Sequence, residues 1–397
     1  MTITNFEKEG RMTKQVKNYG NSTLPPQIRS SIAHSVNGLD IHYLEAGFEN
    51  KNNPLIVLLH GFPELCFSWR KIMVPLSEFG YHVVAPDQRG FGATAGSDRS
   101  YTSDLSSYYQ INLVRDILGL VSLLGYTKVK SVIGHDSGAG VAGWSSLIRP
   151  DIYESVVMMS APFTGPPSVP FNVTNNSEVT GSDELDIAGE LALLERPRKH
   201  YQHYYRTPEA NSDIMGSKDG VSNFIRAYYH HKSADWKENQ PFRLSSWTAR
   251  DLAQMPTYYI MDLDETMPEA VAKHMPNAQE IESCKWLTES ELEVYVSEYS
   301  RTGFQGGLNW YRSSGSKGNR QTLELFSGMK INAPSMFVSG RQDWGIYQRP
   351  GAIDKMKDSI CTNIDEIQLV DNAGHWVQQE QPENVLNLLA AFLSKLD

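Results

Sequence analysis

The segment Gly134-His135-Asp136-Ser137-Gly138 places two candidate nucleophiles between glycines, directly after an apolar run. A nucleophile raised on a sharp turn between a strand and a helix needs glycine two residues before it and two residues after it, because the strained turn has no space for larger side chains. The glycine spacing fits when Asp136 is central, whereas a central Ser137 would require glycine where His135 stands. The sequence therefore predicts a carboxylate nucleophile at Asp136, and the backbone N–H of Ser137 is expected to point into an oxyanion hole.

Two further segments could complete such a site. The loop His60-Gly61-Phe62-Pro63 follows a buried apolar run and predicts a second oxyanion N–H from Phe62. The last strand and loop, ending DNAGHW, predict His375 as the general base. An aspartate that orients this histidine should follow the preceding strand, which favours Asp343 in SGRQDWG; Asp371, in the same loop as the histidine, is the alternative.

A carboxylate nucleophile suits attack on an sp³ carbon, which would leave an alkyl ester on Asp136. Water activated by His375 could then hydrolyse the ester while the two N–H groups stabilise the oxyanion. This chemistry needs neither a metal nor an organic cofactor, and we expect none.

The elements that must position these residues lie mainly between residues 38 and 163. PLIVLLHGF, YHVVAPDQRG and VKSVIGHDSG read as strands buried on both faces. Between them, INLVRDILGLVSLLGY carries apolar residues at helical spacing and ends near Gly125. This alternation predicts an α/β fold in which helices cover both faces of a mostly parallel sheet.

The pattern breaks at a segment rich in proline, glycine and asparagine, TGPPSVPFNVTNNSEVTGSDE, and helical patterns rich in tyrosine and tryptophan follow it. Strand patterns return at APSMFVSGRQD and IDEIQLVDNAGHW, before a closing helix that begins at Pro382. We therefore predict a polar N-terminal arm over 1–35, a first core segment over 36–163, a helical cap over 164–329 and a second core segment over 330–397.

The composition excludes several classes of protein. A formal net charge of -10 over 397 residues argues against a nucleic-acid-binding surface. The apolar runs are too short to span a bilayer. The three cysteines are far apart, without metal-ligand spacing, and favour a reducing compartment such as the cytoplasm. The arm could wrap on the core or pair with a second subunit, so a homodimer is left open.

Together, HGFPE, GHDSG, GGLNWYR and NAGHW resemble the α/β-hydrolase superfamily, and specifically the soluble epoxide hydrolases, over roughly residues 30–397. The resemblance implies the α/β-hydrolase fold with an inserted helical cap. It also implies an enzyme that uses water to open a small epoxide-like substrate to a vicinal diol. Two cap tyrosines would protonate the epoxide oxygen: Tyr311, in the Asn-Trp-Tyr-Arg motif, and Tyr201, in YQHYY.

Four further side chains within these motifs are expected to contact the substrate: His60, Pro63, Trp310 and Trp376.

Two alternatives remain open from the sequence. A dehalogenase could use the same Asp-His-Asp site, but Ser137 follows the nucleophile where haloalkane dehalogenases typically carry tryptophan and fluoroacetate dehalogenases carry arginine. Most epoxide hydrolases also have an aromatic residue at this position, and the cap is long, so a bulkier natural-product substrate is a further alternative. A ligand-binding protein without catalysis is the least favoured interpretation, because the predicted triad is complete.

Overall fold

In the computed structural model, residues 14–15, 19–20, 22–169 and 186–396 are described. The segment rich in proline, glycine and asparagine lies largely outside these residues, as does about half of the predicted arm. The first core segment contains strands and helices in alternation, and their bounds follow the apolar runs closely. The strands are β1 Lys14–Gln15, β2 Arg29–Val36, β3 Leu39–Ala46, β4 Leu55–Leu59, β5 His82–Pro86, β6 Ser131–His135 and β7 Val156–Met159, and the helices are α1 Arg70–Glu78, α2 Gln110–Leu123 and α3 Ser137–Ile148.

The predicted cap segment is mainly helical, as expected, but it also contains a two-stranded antiparallel sheet that the sequence patterns did not indicate. Each strand of this sheet has three residues, too few for an alternating pattern to be read. The elements are α4 Ile187–Ala192, β8 Arg198–His200, α5 Tyr201–Tyr205, α6 Ala210–Met215, α7 Gly220–Lys232, α8 Ala249–Leu252, β9 Ile260–Asp262, α9 Met267–Ala272, α10 Ala278–Ser283, α11 Glu289–Thr302, α12 Gln305–Ser314 and α13 Lys317–Glu324.

The chain then returns to the core. The closing helix begins with proline in its first turn, as the sequence predicted. The remaining elements are β10 Ser335–Gly340, α14 Ala352–Lys355, β11 Gln368–Val370, α15 Val377–Glu380 and α16 Pro382–Leu393.

Nine strands form one sheet in the order β1-β2-β3-β5-β4-β6-β7-β10-β11. The strands from β5 to β11 pair in parallel, whereas β1, β2 and β3 are antiparallel to their neighbours. Every residue of β4, β5, β6, β7 and β10 is buried, because the connecting helices cover both faces. The predicted α/β-hydrolase fold is thus confirmed.

One predicted boundary is wrong. Residues 29–35 belong to β2, which pairs with β3 along its length, so they are part of the sheet and not of a polar arm. The error arose because β2, RSSIAHSV, contains several serines and a histidine, shows no regular alternation and lacks a long apolar run. No helix among the described residues is both long enough and apolar enough to cross a membrane.

His231, near the end of α7, is a buried histidine within the cap. Its ring stacks on His274 at 3.9 Å and meets the edges of Trp236 and Tyr258 at 4.4 and 4.7 Å between centroids. Neither ring nitrogen has a hydrogen-bond partner among the described residues. Burial, together with the neighbouring positive groups, lowers the pKa of His231 to about 2.

This environment predicts an acid-sensitive cap. Because the folded-state pKa lies below the ordinary value of 6.5, the stability from a neutral His231 is present above pH 6.5 and is lost as the pH falls toward 2. When the pH is lowered from about 7 to about 5, the free energy of unfolding should fall by about 2 kcal/mol because of this residue. His231→Phe should remove that loss, as measured by urea unfolding at both pH values. His34→Gln, at a histidine with a 40 % exposed side chain, should retain it. Equal pH dependence in wild type and His231→Phe would contradict the prediction.

Candidate active site

Asp136 lies at the junction of β6 and α3, in a strained conformation with φ 51° and ψ -122°. A positive φ is uncommon for a residue other than glycine and marks stored backbone strain. The flanking glycines are required by close contacts. A Cβ on Gly134 would lie 2.1 Å from the Gly138 carbonyl oxygen, and one on Gly138 would lie 2.3 Å from the Leu59 carbonyl oxygen. The strained turn thus raises the carboxylate above the end of the parallel sheet.

His375 lies between two carboxylates. Its Nε2 is 3.4 Å from an oxygen of Asp136, and its Nδ1 is 3.1 Å from Oδ1 of Asp343. Asp343, which follows β10, also accepts from the Gly345 N–H at 2.7 Å. The alternative, Asp371, has a 71 % exposed side chain and pairs with Arg341. The structure therefore brings Asp343, and not Asp371, to the histidine.

Both carboxyl groups are ionised at neutral pH. Burial by itself would raise the pKa of Asp136, but the hydrogen bond with His375 and the charges of Lys232 and His135 hold it well below its usual range. The pKa of Asp343 is lowered as well, because His375 and the Gly345 N–H outweigh its burial. The site accordingly presents one ionised carboxylate on either side of the imidazole.

Two backbone N–H groups lie beside the nucleophile. The Phe62 N–H donates to Oδ1 of Asp136 at 3.1 Å. Ser137 is the first residue of α3, so its N–H has no acceptor within the helix. A Cβ on Gly61 would lie 2.4 Å from the Asp136 Cβ, so the loop can approach this closely only with glycine there. Both predicted oxyanion residues are thus next to the carboxylate.

Tyr201 and Tyr311 come from different cap helices, α5 and α12, and their ring centroids are 6.0 Å apart. Tyr201 begins α5, and its hydroxyl donates to Gln348 at 3.2 Å and accepts from Gln202 at 3.1 Å. Burial raises the pKa of both phenols above the ordinary value of 10, so both carry their protons at neutral pH. The two tyrosines can therefore serve as proton donors.

Glycines allow α12 to carry Tyr311 close to the core. A Cβ on Gly306 would lie 1.9 Å from the Gly90 carbonyl oxygen, and one on Gly307 would lie 2.5 Å from the Phe62 ring. The Phe62 and Tyr311 rings are themselves in edge contact, with centroids 5.5 Å apart. The helix that provides a phenol thus packs against the loop that provides an oxyanion N–H.

A cavity of about 300 Å³ contains the carboxylate and both phenols, a volume that suits a small molecule. One part of its wall is apolar, and the rest is polar. The apolar residues are Leu113, Trp144, Ala161, Pro162 and Phe163, and the polar residues include Asp136, Ser137, Tyr201, Tyr311 and Gln348.

Three of the four predicted substrate contacts do not line this cavity. His60 is fully buried; its Nδ1–H donates to the Gly61 carbonyl and its Nε2 accepts from the Gln88 N–H. The Pro63 carbonyl accepts from the Tyr229 hydroxyl at 3.0 Å. Both residues lie behind the cavity wall, because the loop that they belong to is itself packed into the core.

The two tryptophans differ. Trp376 is fully buried, stacks on Tyr229 at 4.1 Å, and donates its indole N–H to the carbonyl of the same residue, so it also lies outside the cavity lining. Trp310 does line the cavity, but its indole N–H donates to the Arg89 carbonyl at 2.8 Å. Only its ring remains available for a substrate.

Sequence reasoning missed an ion pair that supports the site. The Nδ1–H of His135 donates to Glu64 at 2.5 Å, and its Nε2–H donates to the His375 carbonyl at 2.7 Å. Glu64 also accepts from the Gly61 N–H and from Gln378. The pKa of His135 is raised and that of Glu64 is lowered, because the attraction between the two opposite charges outweighs the cost of burying each of them. The only sequence signal was their position inside HGFPE and GHDSG.

One buried cluster away from the cavity contains residue types that bind metal ions. Ligand atoms of His42, Cys66 and Asp87 lie within 4.8 Å of one another. The His42 ring, however, bonds Asp87 through Nδ1 at 2.7 Å and Ser30 through Nε2 at 2.8 Å. Asp87 also accepts from two backbone N–H groups. Hydrogen bonding therefore accounts for this cluster as a structural network.

Comparisons with known proteins agree with the geometry. Residues 54–382 match the α/β hydrolase fold family. Epoxide hydrolase A of Mycobacterium tuberculosis is 31% identical over 367 residues, which cover 91% of this chain and 96% of that protein. Epoxide hydrolase 2 of Siraitia grosvenorii is 28% identical and covers 91% of this chain and 97% of its own.

Solved structures extend these similarities to three dimensions. Epoxide hydrolase A from Mycobacterium thermoresistibile aligns with a TM-score of 0.68 and 30% identity over 94% of this chain and 99% of its own. Potato epoxide hydrolase I aligns with a TM-score of 0.68 and 27% identity over 93% of this chain and 99% of its own.

The ion pair behind the site predicts a large loss of stability on truncation. Glu64→Ala leaves a charged His135 buried without its partner, so unfolding free energy should fall by about 3–5 kcal/mol. Glu64→Gln keeps one acceptor oxygen and should lose less. Urea unfolding followed by tryptophan fluorescence would measure both. Glu78→Ala, at an exposed glutamate of α1, should change stability by less than about 0.5 kcal/mol. A loss in Glu64→Ala no larger than in this control would contradict the prediction.

Proposed function

Because the chain belongs to the α/β-hydrolase fold family, and within it to the epoxide hydrolases, we propose that it converts an epoxide to a vicinal diol through an alkyl ester on Asp136. One observation carries the proposal: the ionised carboxylate and the phenols of Tyr201 and Tyr311 line the same cavity. A nucleophile for carbon and acids for oxygen thus face a single bound molecule.

The first step opens the ring. A carboxylate oxygen of Asp136 attacks an epoxide carbon, and the carbon–oxygen bond breaks with its electron pair on oxygen. That oxygen takes a proton from Tyr201 or Tyr311, because an unprotonated alkoxide is a poor leaving group. The product of this step is a hydroxyalkyl ester, and one phenol is left deprotonated.

The second step hydrolyses the ester. His375 removes a proton from water, which attacks the carbonyl carbon of Asp136, while Asp343 stabilises the imidazolium. The N–H groups of Phe62 and Ser137 hold the resulting oxyanion, and loss of one such donor typically costs about 3 kcal/mol. Collapse releases the diol, and proton transfer restores the phenol and the imidazole.

Halide release is the less favoured chemistry for this cavity. A halide leaves without a proton and needs N–H donors around it. The indole N–H of Trp310 is already bonded to the Arg89 carbonyl, and Ser137 provides no ring N–H beside the nucleophile. Phenols positioned as acids fit an oxygen leaving group better.

The remaining features of the proposal concern the whole chain. We assign residues 164–329 as the cap because Tyr201 and Tyr311 both belong to that segment.

The cysteines Cys66, Cys284 and Cys361 are unpaired, which supports a reducing compartment such as the cytoplasm. A homodimer stays a prediction.

One experiment tests the ester directly. A single turnover of styrene oxide with excess enzyme in heavy-oxygen water should place the label in the Asp136 carboxylate and leave the first diol unlabelled. Peptide and product mass spectrometry would locate the oxygen. Asp136→Ala should form no diol in a wider epoxide panel. Label in the diol and none in Asp136 would mean that water attacks the epoxide directly, which would refute the covalent route.

The phenols should act in ring opening alone. Tyr311→Phe and Tyr201→Phe should each slow ester formation by about a hundredfold, and the double variant should slow it further, because the leaving oxygen loses its acid. Ester hydrolysis should change little. Quench-flow measurement of the ester and the diol separates the steps. Tyr204→Phe, whose hydroxyl bonds Asp213 away from the cavity, is the matched control. Equal rates of ester formation in wild type and both single variants would exclude these acids.

A further inference from the structure

Lys232, the last residue of α7, is a buried cation without a direct ion pair. Its side chain is almost inaccessible, with 2% of the residue exposed. The nearby carboxylates of Asp136 and Asp343 are both paired with His375 instead, and within the described part of the chain no acid forms a salt bridge with this ammonium. A buried charge in this state is costly, so its surroundings must compensate for it.

Four aromatic rings surround the ammonium. Its Nζ lies 5.2 Å from the Tyr228 ring centroid, 5.8 Å from Tyr258, 5.0 Å from Tyr259 and 5.5 Å from Trp376. Tyr228 precedes Lys232 by one turn of α7, Tyr258 and Tyr259 are adjacent residues just before β9, and Trp376 lies in the loop of His375. Ring faces attract a cation without neutralising it. This aromatic cage therefore stabilises the positive charge without pairing it with an acid.

The cage adjoins the catalytic histidine. The backbone carbonyl of Lys232 accepts from the His375 N–H at 2.9 Å, and a Cβ on Gly374 would lie 2.5 Å from that carbonyl oxygen. Trp376, one wall of the cage, directly follows the histidine. Burial lowers the pKa of Lys232, and attraction to Asp136, Asp343 and Glu64 opposes that effect. The ammonium is thus coupled to the site through both the backbone and the electric field.

The negative charges of the site are only partly balanced by its other groups. Glu64 is balanced by His135, whereas Asp136 and Asp343 share one imidazole between them. A lysine bonded directly to Asp136 would balance the charge but weaken the nucleophile. A lysine held by aromatic rings supplies the field without occupying the carboxylate oxygens.

We propose that Lys232 is a positioning residue that acts through His375: its caged charge disfavours the imidazolium once Asp136 has become a neutral ester. The inference rests on the proposed alkyl-ester mechanism. In the ester state, Asp343 favours a proton on the imidazole and the ammonium opposes it. The balance keeps His375 able to accept a proton from water during hydrolysis.

Other titratable groups around the ammonium must be considered in any pH measurement. The phenols of the cage have raised pKa values and stay neutral. His231, the preceding residue, stays neutral because its pKa is about 2. Burial raises the pKa of Glu380 to about 8, and its carboxyl group bonds the backbone N–H groups of Ala234, Gly374 and Trp376. The remaining groups are Asp136, Asp343, Glu64 and His375.

Lys232→Met tests the proposal, because methionine has a similar length and packs well against aromatic rings. Single turnovers of styrene oxide between about pH 5 and pH 8 would give the rate of ester hydrolysis in wild type, Lys232→Met and Lys232→Arg. The acid limb of that rate should move up by about one pH unit in Lys232→Met and stay in place in Lys232→Arg. The melting temperature of Lys232→Met should be unchanged or higher, because a buried unpaired charge has been removed.

The outcomes are separable. A folded Lys232→Met whose acid limb coincides with that of wild type overturns the inference. A Lys232→Met that is destabilised or unfolded also overturns it, because the lysine would then be structural. If wild-type enzyme forms no ester on Asp136, the proposed function itself fails, independently of any lysine variant.

Discussion

The Asp136 carboxylate is shielded from bulk solvent on a strained turn, yet it must stay ionised and face the cavity. The rest of the structure depends on this requirement. The turn at Asp136 exists because β6 and α3 meet through glycines that allow backbone atoms to touch. Its charge survives burial because one N–H group, one imidazole and two nearby cations favour the ionised form. A change in any of these groups would therefore alter the charge of the Asp136 carboxylate.

The loop of His375 connects the core to the cap. The backbone N–H of His375 donates to the Lys232 carbonyl at the end of α7. The backbone carbonyl of His375 accepts from the Nε2–H of His135. Glu380 bonds the N–H groups of Gly374 and Trp376 on either side. The imidazole is therefore positioned from the backbone outward, which suits a group whose Nε2 would face first Asp136 and then a water molecule in the proposed reaction.

The two halves of the proposed reaction come from different parts of the chain. The core provides the carboxylate, the base and the oxyanion donors, whereas the cap provides the phenols and the caged ammonium. Contacts between glycine backbones of α12 and the core bring the halves together at van der Waals distance. Separation of this kind allows the cap to determine which leaving group is protonated while the ester chemistry stays in the core.

The sequence by itself determined the parallel sheet and the glycine-flanked turn at Asp136, because continuous apolar runs and glycine spacing express local constraints. It also predicted Asp136, Asp343 and His375, which the structure brings together. It also indicated both cap tyrosines through their motifs. Only the tertiary structure decided that His60, Pro63 and Trp376 lie behind the cavity, that β2 belongs to the sheet, and that Glu64, His135 and Lys232 lie next to the site. These contacts join residues up to 314 positions apart, and packing at that range leaves no periodic pattern in the chain.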